Sequence, residues 1–180
     1  MNDWAGSLES LVTLDAGLDA EFEARLRESS TLAFRVAYGV LRHHHDAEDV
    51  AQEAFVRAHR SFHQLRDRDK FRAWLVRMTW RLAIDRWRSD RRRTAREESV
   101  EVPAARSLEQ DAVARDRSVH LWKAIDELPE KLRLAIVLAA IQEHDLRDVA
   151  RLIGVPEGTV KSRVFLARKA LAEKLQCLKI

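Results

Sequence analysis

A chain of 180 residues holds one medium domain or two small ones, and 46% apolar residues supply the material of an ordinary globular core. Its single cysteine, Cys177, excludes an internal disulfide and any multi-cysteine metal knuckle, and no window approaches a membrane-spanning apolar run. Charged residues make up 34% yet nearly cancel to +3, so the distribution of charge says more than its sum. The first thirty residues are acidic, through Asp3, Glu9, Asp15, Asp19, Glu21, Glu23 and Glu28. They lack the basic-then-apolar order of a signal peptide, which with the lone thiol points to the cytoplasm and to no membrane insertion. From Arg81 to Arg96 the balance reverses to basic.

Glycine and proline are scarce, at five and three, and period-2 alternation is absent, so the sequence predicts an all-α protein. The first module, residues 22–90, contains three candidate helices: Phe22 to Arg42, Asp46 to Phe62 and Phe71 to Arg88. Asp46 suits an N-cap, and Glu48 and Asp49 in the first turn suit the positive end of a helix. Val50, Ala54, Ala58 and Phe62 recur at four-residue intervals and should face the core, leaving Asp49, Gln52 and Glu53 on the opposite, solvated side. On the third helix Phe71, Trp74, Leu75, Met78 and Leu82 share one face, at about 100° per residue. Trp80 and Trp87 lie together on another face, either as a second packing contact or as a stacking platform beside the arginines.

Residues 91–117 carry Arg-rich, Glu-rich and Pro-Ala segments without an apolar stripe and read as a flexible linker. The second module, residues 118–178, starts with a helical face of Trp122, Ile125 and Leu128. Pro129 restarts a helix through Leu132, Ile136 and Leu138. A short helix from Leu146 to Ile153 ends at Gly154-Val155-Pro156, and a last helix buries Val160, Val164, Ala167 and Leu171. A small residue, a glycine turn and a second helix with buried valines make a helix-turn-helix. Thr159, Lys161, Ser162, Arg163 and Arg168 are left outward, with groups able to reach phosphates and base edges.

Leu128-Pro-Glu-Lys-Leu-Arg133 followed by Asp148-Val-Ala-Arg-Leu-Ile-Gly-Val-Pro-Glu-Gly-Thr-Val-Lys-Ser-Arg163 resembles region 4 of bacterial sigma factors. Asp46-Ala-Glu-Asp-Val-Ala-Gln-Glu-Ala-Phe55, Phe71-Arg-Ala-Trp-Leu75 and Leu82-Ala-Ile-Asp-Arg86 resemble region 2. Order and spacing are similar to the extracytoplasmic-function group, which keeps only these two regions. The resemblance implies that Asp49, Gln52 and Glu53 dock on core RNA polymerase. It places Arg81, Asp85, Arg86 and Arg88 at the minus-ten promoter element, with Arg91, Arg92 and Arg93 on the basic segment that follows. Thr159, Lys161, Ser162, Arg163 and Arg168 fall at the minus-thirty-five element. An anti-sigma factor of unspecified identity is a further expected partner, and neither cofactor nor enzymatic chemistry is implied. Phe165 and Leu166 stand where histidine and arginine are frequent, and Arg81 where asparagine is common.

Two rival readings remain at this level. His43-His44-His45-Asp46 has the residue types of a metal-hydrolase site, but consecutive helical residues diverge by about 100° and a complete site needs further ligands, so it reads as a solvated loop without a metal. A helix-turn-helix regulator acting apart from polymerase explains the second half, but not the Asp-Ala-Glu-Asp and Phe-Arg-Ala-Trp stretches together.

Overall fold

The computed structural model describes residues 3–97, 120–143 and 145–176, with side chains from residue 17 to residue 93 in the first of these ranges. Most of the predicted linker, from residue 98 to residue 117, lies outside the described residues, as do Cys177 and Leu178. Helices are the only extended regular elements among the described residues: α1 (Asp3–Leu41), α2 (His44–Ser61), α3 (Phe71–Glu97), α4 (120–126), α5 (Glu130–Ile141), α6 (Leu146–Ile153) and α7 (Glu157–Gln176). Short 3-10 turns at Phe62–Gln64 and Arg68–Lys70 join α2 to α3. The chain divides into two compact units, Met1–Arg88 and Ser89–Ile180, each with its own core.

In the first unit α1 and α2 pack along a seam of small residues. Ala33 and Ala37 of α1 and Ala47, Ala54 and Ala58 of α2 are fully buried. Alanine costs no side-chain entropy on burial and permits a close backbone approach. The aromatic node Phe22, Phe62 and Phe71 then ties α1, the end of α2 and the start of α3. Its ring centroids are 5.3–5.8 Å apart and its interplanar angles are 70–89°, the edge-to-face arrangement that ring quadrupoles prefer. The Arg68 guanidinium sits 4.0 Å over the Phe62 ring, and Arg25 Nη1 donates to the Arg68 carbonyl at 2.7 Å, which fixes the loop into α3.

Helix α3 is buried on two faces. Phe71 and Leu75 are enclosed with Trp74, Met78 and Leu82 packed partly against them, while Val76, Thr79, Trp80, Ala83 and Ile84 fill a second contact. Trp80 is only 3% exposed, which settles its role as packing and excludes a stacking platform. The buried Thr79 hydroxyl is satisfied by donating to the Leu75 carbonyl at 2.9 Å.

Three boundaries differ from the sequence expectation. α1 begins at Asp3, not near Phe22, because residues 3–21 contain no proline and keep leucines at helical spacing. α3 continues to Glu97, past the residue where the linker was expected, since its arginine-rich end has good helix formers even without an apolar stripe. The N-cap of α2 is His43, whose Nδ1 accepts from the Asp46 amide; Asp46 lies inside the helix and receives Arg86 Nη2 at 2.9 Å.

In the second unit α5 packs on α6 and α7, and α6 on α7. Ala135, Leu138, Val149, Leu152, Val160, Val164 and Ala167 form its centre. Leu132 and Ile136 are only partly buried, whereas Arg133 is buried. Its guanidinium donates to the Asp126 carbonyl at 3.3 Å and lies 3.9 Å from the Asp126 carboxylate, joining α5 to the end of α4.

The aromatic node gives a stability test. Phe71→Ala removes the ring shared by α1, α2 and α3, and is expected to cost roughly 3–5 kcal/mol. Urea unfolding of the first unit's transition should show a lower midpoint with an unchanged slope.

Candidate functional site

Among the described residues, the charged side chains singled out in the sequence fall on three surfaces. On α2, burial of Ala47, Val50, Ala51, Ala54 and Ala58 turns Asp49, Gln52 and Glu53 to solvent, and all three are exposed. Glu53 is bridged by Arg57 one turn on. Beside this face Ser30, Thr31 and Phe34 of α1 meet Glu48, Ala51, Gln52 and Phe55 of α2 around a groove of about 330 Å³. The α1 residues are absent from the sequence-derived set. Their signal, a half-buried phenylalanine one turn from polar residues, gains meaning only once α2 is laid beside it.

The second surface lies along α3. Arg81, Asp85 and Arg88 are exposed at spacings of four and three, so they form one stripe, and Arg92 extends it. Arg86 leaves the stripe for Asp46 of α2. Arg91, Arg92 and Arg93 are exposed on the last turns of α3 whose side chains are described, with Arg93 3.9 Å from Asp90. Arg81 and Asp85 also line a groove of about 420 Å³ with Trp74, Met78, Arg57 and Arg60. The two α2 arginines extend the basic surface beyond the residues found from sequence. Trp74 thus serves two roles, packing on Phe71 at 6.0 Å between ring centroids and walling the groove.

The third surface is the α6–α7 hairpin. Asp145 caps α6 by accepting from the amides of Arg147 and Asp148, both at 3.0 Å. Gly154 ends α6 in the left-handed region at φ 78° and ψ 41°, and its amide and that of Val155 both bond to the Ala150 carbonyl. Val160, Val164, Ala167 and Leu171 of α7 are buried, as expected. At about 100° per residue Ser162 falls on the outward crest of α7, Thr159 and Arg163 on one flank, and Lys161 and Arg168 on the other. Thr159 and Arg163, expected outward, are half-buried because their flank borders the buried stripe, while the other three are exposed. Phe165 and Leu166 share the crest and are 67% and 50% exposed, a large apolar offering on a polar helix that the sequence-derived set omitted. Lys161 bonds to Glu157 at 2.8 Å, and that hydrogen bond, then its charge, holds the Glu157 carboxyl below the usual carboxylate range. Arg147 adds a weaker contribution from 3.6 Å.

The described residues contain no helix long and apolar enough to cross a membrane. What the three surfaces share is a helical platform under exposed charge, acidic on α2 and suited to docking, basic on α3 and α7 and suited to contacting polyanions.

Comparison with known proteins gives these surfaces a setting. Residues 26–93 match the family model for sigma-70 region 2, and residues 119–171 that for sigma-70 region 4. The chain is 34% identical over 156 residues to the ECF RNA polymerase sigma factor SigW of Bacillus subtilis, covering 81% of this chain and 83% of that protein. It is 32% identical over 168 residues to the ECF RNA polymerase sigma factor SigM of Mycobacterium tuberculosis, covering 93% and 83%. Among solved structures, CnrH in complex with the cytosolic domain of CnrY shares the fold at a TM-score of 0.61 and 23% identity, over 92% of this chain and 94% of that one.

The left-handed Gly154 is the hinge residue of the α6–α7 hairpin. A side chain there meets the left-handed penalty of about 1–2 kcal/mol, so Gly154→Ala should lower the thermal midpoint of the second unit, and Gly154→Asn should lower it less. Differential scanning calorimetry of the three proteins checks the order.

Proposed function

Because the chain belongs to the extracytoplasmic-function group of RNA polymerase sigma factors, we propose that it docks on core RNA polymerase through α2 and directs it to promoters that α3 and α7 read. The observation that carries this reading is the joint presence of both modules. A stand-alone helix-turn-helix regulator leaves the whole region 2 match, residues 26–93, without a purpose. The protein acts by binding, with no chemistry of its own, and works in the cytoplasm, where polymerase and DNA are. Family membership also makes an anti-sigma protein a natural regulatory partner.

Docking is assigned to Asp49, Gln52 and Glu53, supported by their exposure on the face of α2 opposite its alanine seam. A rigid helix presenting acids and an amide beside an apolar groove offers charge complementarity for steering and apolar area for affinity. Phe34 and Phe55, which line that groove, join the docking surface.

Promoter contact is divided between the two modules. The stripe of Arg81, Asp85, Arg88 and Arg92 tracks the minus-ten strand, with Arg57 and Arg60 widening the basic track. Arg86, bonded to Asp46, is given a positioning role: it braces the DNA-facing helix against the docking helix. Beyond them Arg91 and Arg93 add phosphate attraction. On α7, Ser162 and Arg163 lie in the N-terminal half that enters a major groove, while Thr159, Lys161 and Arg168 position the backbone. Lys161 must leave Glu157 to do so.

Core binding tests the docking face. Reversing Asp49 and Glu53 to lysine together should weaken core affinity at least roughly ten-fold, with helicity and melting temperature nearly unchanged, because exposed substitutions alter stability little. Fluorescence anisotropy with labelled protein measures it, and an unchanged affinity removes the assignment. DNA binding in holoenzyme tests the division of labour. Arg163→Ala should cost roughly 1–3 kcal/mol and relax discrimination at one base pair. Neutralising Arg91, Arg92 and Arg93 together should weaken all promoters alike and flatten the salt dependence. A salt titration on matched and mutated upstream elements separates the two effects; equal loss on both templates makes Arg163 a phosphate contact.

A further inference from the structure

The triple histidine at the α1–α2 junction is left unused by the docking and DNA surfaces, and its geometry differs from that of a solvated loop. His43 and its neighbours part company. His43 Nδ1 turns to Asp46, 2.9 Å from its Oδ2 and within reach of its amide. His44 and His45 turn instead to a common acceptor one turn along α2: their Nδ1 atoms lie 3.2 Å and 3.4 Å from the same Glu48 Oε2. One ligand atom from each of His44, His45 and Glu48 lies within 4.8 Å of the other two. The divergence expected of consecutive residues is overcome because α2 starts at His44, so that the i, i+4 and i, i+3 relations to Glu48 bring both rings to one side.

These spacings are those of a shared cation. Ligand atoms bound tetrahedrally at about 2.0–2.1 Å from a metal stand about 3.3–3.4 Å apart, which two of the three edges already meet. The third closes by rotation of the more exposed His45 ring. Phe34 of α1 holds the His44 ring, with centroids 5.2 Å apart, so one ligand is set before any ion arrives. Two imidazoles and one carboxylate favour zinc and its late-transition neighbours over magnesium or calcium, which take oxygen shells.

We propose that His44, His45 and Glu48 form a surface site for a divalent transition-metal ion such as Zn2+, with water completing the coordination. The ion binds through the two Nδ1 atoms that already face Glu48 Oε2. Because Glu48 also lines the groove beside Gln52, the site sits at the rim of the proposed docking face.

The test is calorimetric titration of the full-length, tag-free protein with ZnCl2. One Zn2+ per chain is expected, and His44→Ala, His45→Ala and Glu48→Gln should each weaken binding at least roughly ten-fold, the scale of loss seen when a metal's ligand environment is disturbed. His43→Asn, which removes the neighbouring imidazole but keeps a capping side chain at the start of α2, should leave the affinity unchanged, and MgCl2 should not compete. Histidine ring NMR signals of the unsubstituted protein give a check that needs no variant: His44 and His45 shift on adding Zn2+, and His63 does not. Absence of Zn2+ uptake, equal losses across all four variants, or a His63 shift matching that of His44 overturns the proposal.

Discussion

The close seam between α1 and α2 is the constraint from which the first unit follows. Ala47, Ala51, Ala54 and Ala58 spend one side of α2 on contact with α1. With a period of 3.6 residues that commitment fixes the opposite side, so Asp49, Gln52 and Glu53 are presented without any freedom of register. A larger residue anywhere along the seam would lift α2 away and open the adjoining groove, whose walls come from both helices. The proposed docking face is thus determined by buried residues on the opposite side of the helix.

The aromatic node extends this logic to α3. Phe22, Phe62 and Phe71 lock the start of α3 against the α1–α2 pair, and the Arg86–Asp46 ion pair, reaching the first turn of α2, braces it further along. The exposed pair contributes little stability by itself. Its value is geometric, since it sets the rotation of the helix whose outward stripe is proposed to meet DNA. The second unit repeats the scheme in smaller form: buried valines on α7 and a left-handed glycine before it decide which residues stand on the crest.

Stripes at three- and four-residue spacing were legible in the sequence. Val50, Ala54 and Ala58 on α2 and Val160, Val164 and Ala167 on α7 are buried as their periodicity predicts, and Asp49, Gln52, Glu53, Lys161, Ser162 and Arg168 are exposed opposite them, whereas Thr159 and Arg163 are half-buried at the edge of the α7 stripe. Helix ends were less legible. Arg42 and Glu143 adopt left-handed backbone at φ 58° and 50° after α1 and α5, with no glycine to announce the stop. The extension of α3 to Glu97 was hidden because an arginine-rich segment has helix propensity but no apolar stripe. Side-chain choices between elements escaped altogether. Arg133 is buried and Arg86 turns to Asp46; each depends on which helices become neighbours, which local pattern does not encode.

The central claim is that the α2 face and the two basic surfaces act together in one polymerase holoenzyme. Run-off transcription measures this most directly, using purified core RNA polymerase and a library of genomic promoter fragments with and without the protein. Discrete transcripts that require the protein, arising from templates with common minus-thirty-five and minus-ten elements, are the expected result. Tight binding to core with no new start site on any template would contradict it.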